Sequence, residues 1–550
     1  MQNRVRSIRV LAAALVLSGA VSCKAPADAA RTASYGELVT LFDKWRAFQR
    51  PNLVDGVPDY TAAAMAAQRS QLATYQRELA SFDTSGWTIP QQVDYHLVRA
   101  EMNGLDFDHR VLEPWANNPA FYVTVFADRS DQPAREGPLA YGGLELWRHP
   151  WPLTEASVAA IDSGVRVIPR LLEQAKGNLV GNQQDIWVYG TKNIKEQVAT
   201  LAALAARLPD ATKDLKADIE RAKDATDSFA RWLEVKAPAK TERSGIGVEN
   251  DDWYLENVQL VPWTWQQEVT IMERELARAH AFLALEEQRN AKLPPQVPIA
   301  SAEEHSRRFS VGVTEYMAFL KGHDILTIQD YLDPALRAQV GTFTPGAREF
   351  FSEVDYRDPE VMRTHGYHWF DLAWMEHVPH ADPIRRGPLL YNIFNTRTEG
   401  HATGWEELML QAGMFDAHPR SRELVYVMLA ERAARALGDL RMQSNEFTLE
   451  EAAAFASANT PRGWLSLKGN LVRGEQHLYL QQPGYGTSYI AGKIQVEMLL
   501  TERKRQLGDG FTMKRFMDEF NAAGLIPASL LRWELTGELP DDVKRMLAPH

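Results

Sequence analysis

The sequence predicts a large, mainly α body with few short strands. Three observations lead there. From Tyr35 onward apolar residues recur at spacings of three and four, as one buried helix face requires. Runs in which β-branched and polar residues alternate are scarce. Helix-start signatures recur instead, at Ile89-Pro90, Thr264…Gln267 and Asp358-Pro359-Glu360.

Taken in order, Leu38, Leu41, Phe42, Trp45 and Phe48 make one apolar face of a first helix. An Ala-rich second helix runs over about 61–82 and ends at Ser81 to Gly86. Ile89-Pro90 introduces a third, whose buried stripe is Val93, Tyr95, Leu97, Val98 and Met102. Residues 109–150 are Pro-rich (Pro114, Pro119, Pro133, Pro138) and predict loops and short helices. Helices resume near 154–177 and 191–234, and 236–263 is a loop-rich crossing. Thr264 with Gln267 three residues on is a capping box opening a helix over 265–290. Residues 301–322 and 327–340 predict two more helices. The expected organisation is a signal over 1–22, a lipidated cysteine and tether over 23–33, and one helical domain over 34–550. Within that domain an N-terminal helical part covers about 34–235 and a second part about 245–540.

Composition excludes several function classes. With 45% hydrophobic and 24% charged residues, the 550-residue chain has enough apolar material to fold rather than stay disordered. Sixty basic against 72 acidic residues give a net charge of −12, with no Lys/Arg-rich track, so no nucleic-acid partner is expected. Arg4, Arg6 and Arg9 precede an apolar run, Val10 to Val21, that is too short to span a bilayer, as in a secretory signal. It ends in Ala20-Val21-Ser22-Cys23, a lipobox-like sequence, so Cys23 is the expected lipidation site and the membrane the expected partner of the N-terminus. Lys24 after the cysteine favours the outer membrane, facing the periplasm. Cys23 is the only cysteine, and no Gly-x-Ser-x-Gly elbow occurs. Cysteine and serine nucleophile schemes therefore have no local signature.

The stretch 358–410 carries the chemistry. Asp358-Pro359-Glu360 starts a helix that Val378-Pro379 ends. Inside it His365, His368 and Asp371 follow at spacings of three, on one helix face. A second helix beginning around Thr396 to Thr398 carries Glu399, Thr403 and Glu406. Two histidines and a glutamate are the ligand set of zinc sites that leave a position open to water. Such a zinc lowers the pKa of its water to about 7 and polarises a carbonyl. The alternative is a pair of capping or buried, hydrogen-bonded histidines, and Gly366 between them weakens the helix.

From Thr398 on, ordered motifs follow. They are Glu399-Gly400 with Glu406, Ala412-Gly413-Met414-Phe415-Asp416, Glu431-Arg432-Ala433-Ala434-Arg435 and Phe447-Thr448-Leu449-Glu450-Glu451-Ala452. Gln482-Pro483-Gly484-Tyr485-Gly486-Thr487-Ser488-Tyr489-Ile490-Ala491-Gly492-Lys493 and Ala523-Gly524-Leu525-Ile526-Pro527 complete the series, with weaker segments upstream at 247–278. This pattern resembles the bacterial family called domain of unknown function 885, whose fold is zincin-like.

The resemblance implies a metallopeptidase-like site in which His365, His368 and Glu399 bind zinc. Glu406 would steady a ligating histidine, and Tyr489 would donate to a developing oxyanion. Family members carry a His-Glu-x-x-Pro-Gly-His-His segment. Here His365-Gly366-Tyr367-His368 takes its place, and Gly366 stands where the general-base glutamate belongs. Asp371 or Glu376 would have to substitute.

Other residues stay open between two roles. Tyr489 is an oxyanion donor or a packed tyrosine. Arg432 and Arg435, with Tyr485, bind substrate, or the arginines form inter-helix salt bridges. His377 and His380 read as loop residues, and His401 faces away from Glu399. The expected function is zinc-dependent hydrolysis of a peptide or small amide by a lipid-anchored envelope protein. The alternative is a catalytically inactive lipoprotein of the same fold that binds a peptide or envelope partner.

Overall fold

The structure, a computed structural model, describes residues 31–209, 212–346 and 348–548. The signal and Cys23 lie outside them. Helices make up 68% of the chain and strands 2%, which bears out the mainly α reading. Among the described residues the strands are three two-residue pairs. Arg31–Thr32 runs parallel to Phe82–Asp83, Leu53–Val54 antiparallel to Val57–Pro58, and Val125–Phe126 parallel to Leu144–Glu145. The first pair shortens the expected tether: residues 31 and 32 are already in a ladder, and Ala33 is buried. No helix of the described residues is long and apolar enough to cross a membrane.

Local chemistry sets the helix ends. Thr264 accepts from Gln267 N, and the Gln267 side chain accepts from Thr264 N at 2.9 Å, so the expected capping box opens the Trp265–Arg289 helix. Elsewhere proline cuts expected helices in two. The pattern over 154–177 becomes Glu155–Arg166 and Ile168–Asn178, with Pro169 in the first turn of the second. The one over 191–234 becomes Gln184–Arg207 and Lys213–Lys236, parted at Pro209, because proline lacks the N–H an interior helical position needs. The helix expected over 327–340 is the single short turn set Leu332–Arg337.

Among the described residues three hydrophobic cores result, a small one around Tyr189, Leu449, Tyr479, Tyr485 and Tyr489 and two large ones that do not divide near residue 235. Trp115, Tyr122, Ile161, Leu172, Trp187, Ile219 and Phe229 close one core from residues 57–233. The apolar faces of the first and third helices (Leu38, Trp45, Val93, Val98) instead join Tyr316, Trp405, Leu429, Ile490 and Leu531 in the larger core. The N-terminal helices thus belong to the body that carries the site.

At the centre of that body the Asn395–Gln411 and Tyr485–Leu507 helices touch backbone to backbone. A Cβ on Gly400 would lie 2.3 Å from Gly492 Cα, and one on Gly492 would lie 2.1 Å from the Thr396 carbonyl oxygen. No side chain fits between them. Gly492→Ala is expected to destabilise the protein by about 1–3 kcal/mol through overpacking. Gly474→Ala, at a helical position with nothing within 4 Å of the new methyl, should be neutral or stabilising by about 0.5–1 kcal/mol. Denaturant unfolding of the two variants checks the contrast.

Candidate metal centre

Asp358 caps its helix by accepting from Glu360 N at 3.0 Å. The helix expected to run on to residue 378 breaks at Gly366 (φ −61°, ψ 11°) into Pro359–His365 and Tyr367–His377. A Cβ at Gly366 would meet Leu336 Cδ1 at 2.8 Å, so the break occupies a slot with no room for a side chain. His365 therefore ends one helix and His368 lies in the first turn of the next. Their rings stand 5.0 Å apart at 81°.

Glu399, buried in the Asn395–Gln411 helix, completes the group. One ligand atom each from His365, His368 and Glu399 lies within 4.8 Å of the other two. His368 Nε2 and Glu399 Oε2 are 3.3 Å apart, a buried ion pair with no third group hydrogen-bonded to either atom. A cation held between them would take both as ligands. His365 Nδ1 sits 2.9 Å from Glu406 Oε1 and 3.1 Å from Arg432 Nη2, and since a guanidinium only donates, Nδ1 accepts from Arg432.

Burial lowers the His368 imidazole, but the Glu399 charge outweighs it and lifts the group to about 9, so without a metal His368 and Glu399 are a charged pair. Burial pushes the Glu399 carboxyl up, but the facing His368 charge outweighs it and brings the group down to about 2. Burial and the Arg432 charge hold His365 well below the ordinary histidine range, so this imidazole is neutral. Burial lifts Glu406 to about 7 against the pull of Arg432.

A strap from the Pro-rich segment closes over the group. Gln132 Nε2 donates to Glu399 Oε1 at 3.0 Å and lies 3.3 Å from His368 Nδ1, while Gln132 Oε1 accepts from Thr398 Oγ1 at 2.7 Å. Beside it, burial raises the Asp131 carboxyl, the His368 charge lowers it and the Glu399 charge raises it further. Burial and Asp131 raise Glu136 to about 7. Two cavities reach the strap: one of about 450 Å³ touches Ala134, Arg135 and Gly137, and one of about 340 Å³ touches Pro133 and Asp371.

Known proteins share parts of this sequence and the whole of this fold. Residues 366–535 match a family described as "Bacterial protein of unknown function (DUF885)". That span holds the motifs from Glu399 to Pro527 and leaves out the upstream segments at 247–278. Two solved structures share the fold. One, from Shewanella oneidensis, is described as a "putative lipoprotein of unknown function"; at 16% identity it superposes with a TM-score of 0.67 over 92% of this chain and 100% of that one. The other, a "putative lipoprotein" from Colwellia psychrerythraea, gives 0.64 at 15% identity over the same shares. Nothing among curated proteins matches the chain.

The remaining candidates divide between this group and its surroundings. Tyr485 is buried with its hydroxyl donating to Glu399 Oε1 at 2.5 Å, so it fixes a candidate ligand rather than facing a substrate. Arg432 holds Glu406 bidentately at 2.8 and 2.9 Å, and Arg435 pairs with Glu431 at 2.8 Å and Glu475 at 2.5 Å. Both guanidiniums are spent on internal ion pairs, which is the salt-bridge alternative. Tyr489 packs edge-on against Tyr485, with the Arg435 guanidinium 5.4 Å from its ring centre. Burial and the Glu399 charge raise its phenol well above the ordinary range, so it stays a donor.

The expected substitute bases lie elsewhere. Asp371 is bound by Arg397 through bonds of 3.0 and 3.1 Å, and Glu376 is exposed on the far side of its helix. His401 is enclosed by Tyr367, Trp405 and Phe520, away from Glu399, and His377 stacks on Tyr331. Asp131, Gln132 and Glu136 had no sequence signal beyond lying in a Pro-rich loop.

Arg432→Ala would leave the Glu406 carboxylate buried and unpaired. Removing one partner of a buried pair costs about 3–5 kcal/mol, so a loss of that size is expected in urea unfolding. Arg435→Lys, which keeps a charge near Glu431, should lose less.

Proposed function

We propose that this chain is a zinc-dependent hydrolase of the cell envelope that cleaves a peptide or related amide. The supporting observation is the convergence of His365, His368 and Glu399, one ligand atom of each within 4.8 Å of the other two. Zinc–ligand bonds of about 2.0–2.2 Å need that convergence and a donor set of this kind. A bound zinc would supply Lewis acidity, polarising a carbonyl and acidifying water.

This chain's own residues would do the rest. Arg432, itself held by Glu406, donates to His365 Nδ1 and fixes the ring. Tyr485 and Gln132 hold the two edges of the Glu399 carboxylate region through Oε1, leaving Oε2 free. Tyr489 keeps its phenolic proton and serves as donor to a developing oxyanion. The carboxylate missing at Gly366 would have to come from another segment, and Asp131, next to Gln132 on the strap, is the candidate.

A second reading, a zinc-holding protein that binds a partner without hydrolysing it, is favoured by the Gly366 slot, which excludes the usual base. Metal analysis and rate measurement separate the two. Detergent-solubilised full chain should hold zinc at the His365–His368–Glu399 group, and His368→Ala should lose that equivalent. Full retention in the variant would remove the assignment. Asp131→Asn should keep the zinc and lower the rate on a peptide library by about 10²-fold or more, as loss of a general base does. Zinc without any turnover would leave the binding reading.

The envelope location rests on the signal-like N-terminus with Cys23, and on two fold relatives described as putative lipoproteins. An acyl chain on Cys23 would hold the protein to the outer membrane, facing the periplasm. Cys23→Ser should move the protein from the membrane to the soluble fraction.

A further inference from the structure

Glu360 is 6% exposed, yet no hydrogen bond or ion pair reaches its carboxylate. A buried acid facing other acids is normally relieved by a cation or a donor. Here three separate elements aim ligands at the same place. Glu315 comes from the Ala302–Gly322 helix, Glu360 from the first turn of Pro359–His365, and His418 from the turn before the Ser421–Gln443 helix. One ligand atom from each lies within 4.8 Å of the other two.

The approach is built into the backbone. Gly312 faces the start of the Glu360 helix, where a Cβ would stand in ordinary contact, 3.4 Å from Glu360 N and 3.5 Å from Glu360 Cα. Glu315 is one turn beyond Gly312 and so lies on the same face. On the other side Asp358 accepts from both Glu360 N and Ser421 Oγ, which ties the two helix starts together. His418 is fixed in the adjoining turn by Ser421 N, which donates to its carbonyl at 2.8 Å.

We propose that Glu315, Glu360 and His418 form a second divalent-metal site, independent of the His365–His368–Glu399 group. Two carboxylate oxygens and one imidazole suit zinc or manganese, whereas calcium takes six to eight oxygens. Glu315 and His418 are exposed, so water completes the coordination. The role is structural: the metal would pin the short helix whose far end carries His365.

Metal-stripped full chain titrated with zinc chloride in a calorimeter tests this. The His368→Ala variant removes the first group, and it should still bind one equivalent. Adding His418→Ala, at an exposed position that folding does not need, should weaken that remaining site by more than about 100-fold, since even loss of a ligand's hydrogen-bonding partner costs 10–100-fold. Glu315→Gln should weaken it as well, and zinc should raise the Tm of His368→Ala but not of the double variant. If His368→Ala binds no zinc, or binds it with the same affinity when His418 or Glu315 is replaced, the second site does not exist. If wild type and His368→Ala bind alike while His418→Ala abolishes binding, the second site stands and the first assignment fails.

Discussion

The contact between Gly400 and Gly492 is the constraint on which the candidate centre depends. Two helices can meet backbone to backbone only where both lack a Cβ, and here the meeting point is one residue from Glu399 and in the same helix as Tyr485 and Tyr489. The Tyr485 hydroxyl reaches the Glu399 carboxylate at 2.5 Å across that interface. A wider spacing, set by even one methyl group, would pull the phenol off the carboxylate. The motif residues Glu399-Gly400 and Ala491-Gly492-Lys493 therefore read as one device: the glycines set a distance and their neighbours use it.

The same interface explains why so much charge is tolerated in the interior. Arg432 is matched by Glu406, Arg397 by Asp371, and Lys493 by Glu407 at 3.1 Å, each pair buried or nearly so. Buried pairs of this kind add little net stability over apolar packing, but each fixes two side chains in one geometry. Within this arrangement His368 Nε2 and Glu399 Oε2 face each other at 3.3 Å and no third group is hydrogen-bonded to either.

Helical periodicity made the mainly α class, the Trp265–Arg289 capping box and the His365, His368 and Glu399 triplet legible, because each depends on residues close in sequence or on one donor chemistry. Helix breaks were less legible. Proline at 169 and 209 cuts helices whose apolar stripe continues through the cut, and Gly366 ends a helix because of Leu336, thirty residues away in sequence. The strap was not legible at all. Nothing in Ser130-Asp131-Gln132-Pro133 marks contact with His368, 236 residues on, and only tertiary closure brings the Gln132 amide there. The division between cores failed for a related reason: an amphipathic face such as Leu38, Trp45 and Phe48 says that it will be buried, not against what.

The Gly366 slot bears most directly on chemistry. In a site of this type a glutamate one residue after the first histidine would share the space near the ligand atoms, but here Leu336 and the Arg363 carbonyl fill that direction at 2.8 and 3.1 Å from the missing Cβ. The local backbone, and not only the residue type, has departed from the usual pattern, so restoring a glutamate by substitution would force the helix pair apart instead of rebuilding a base. Carboxylates close to the centre now arrive from the opposite side, on the strap. The strap also closes over the group, since Gln132 spans His368 and Glu399.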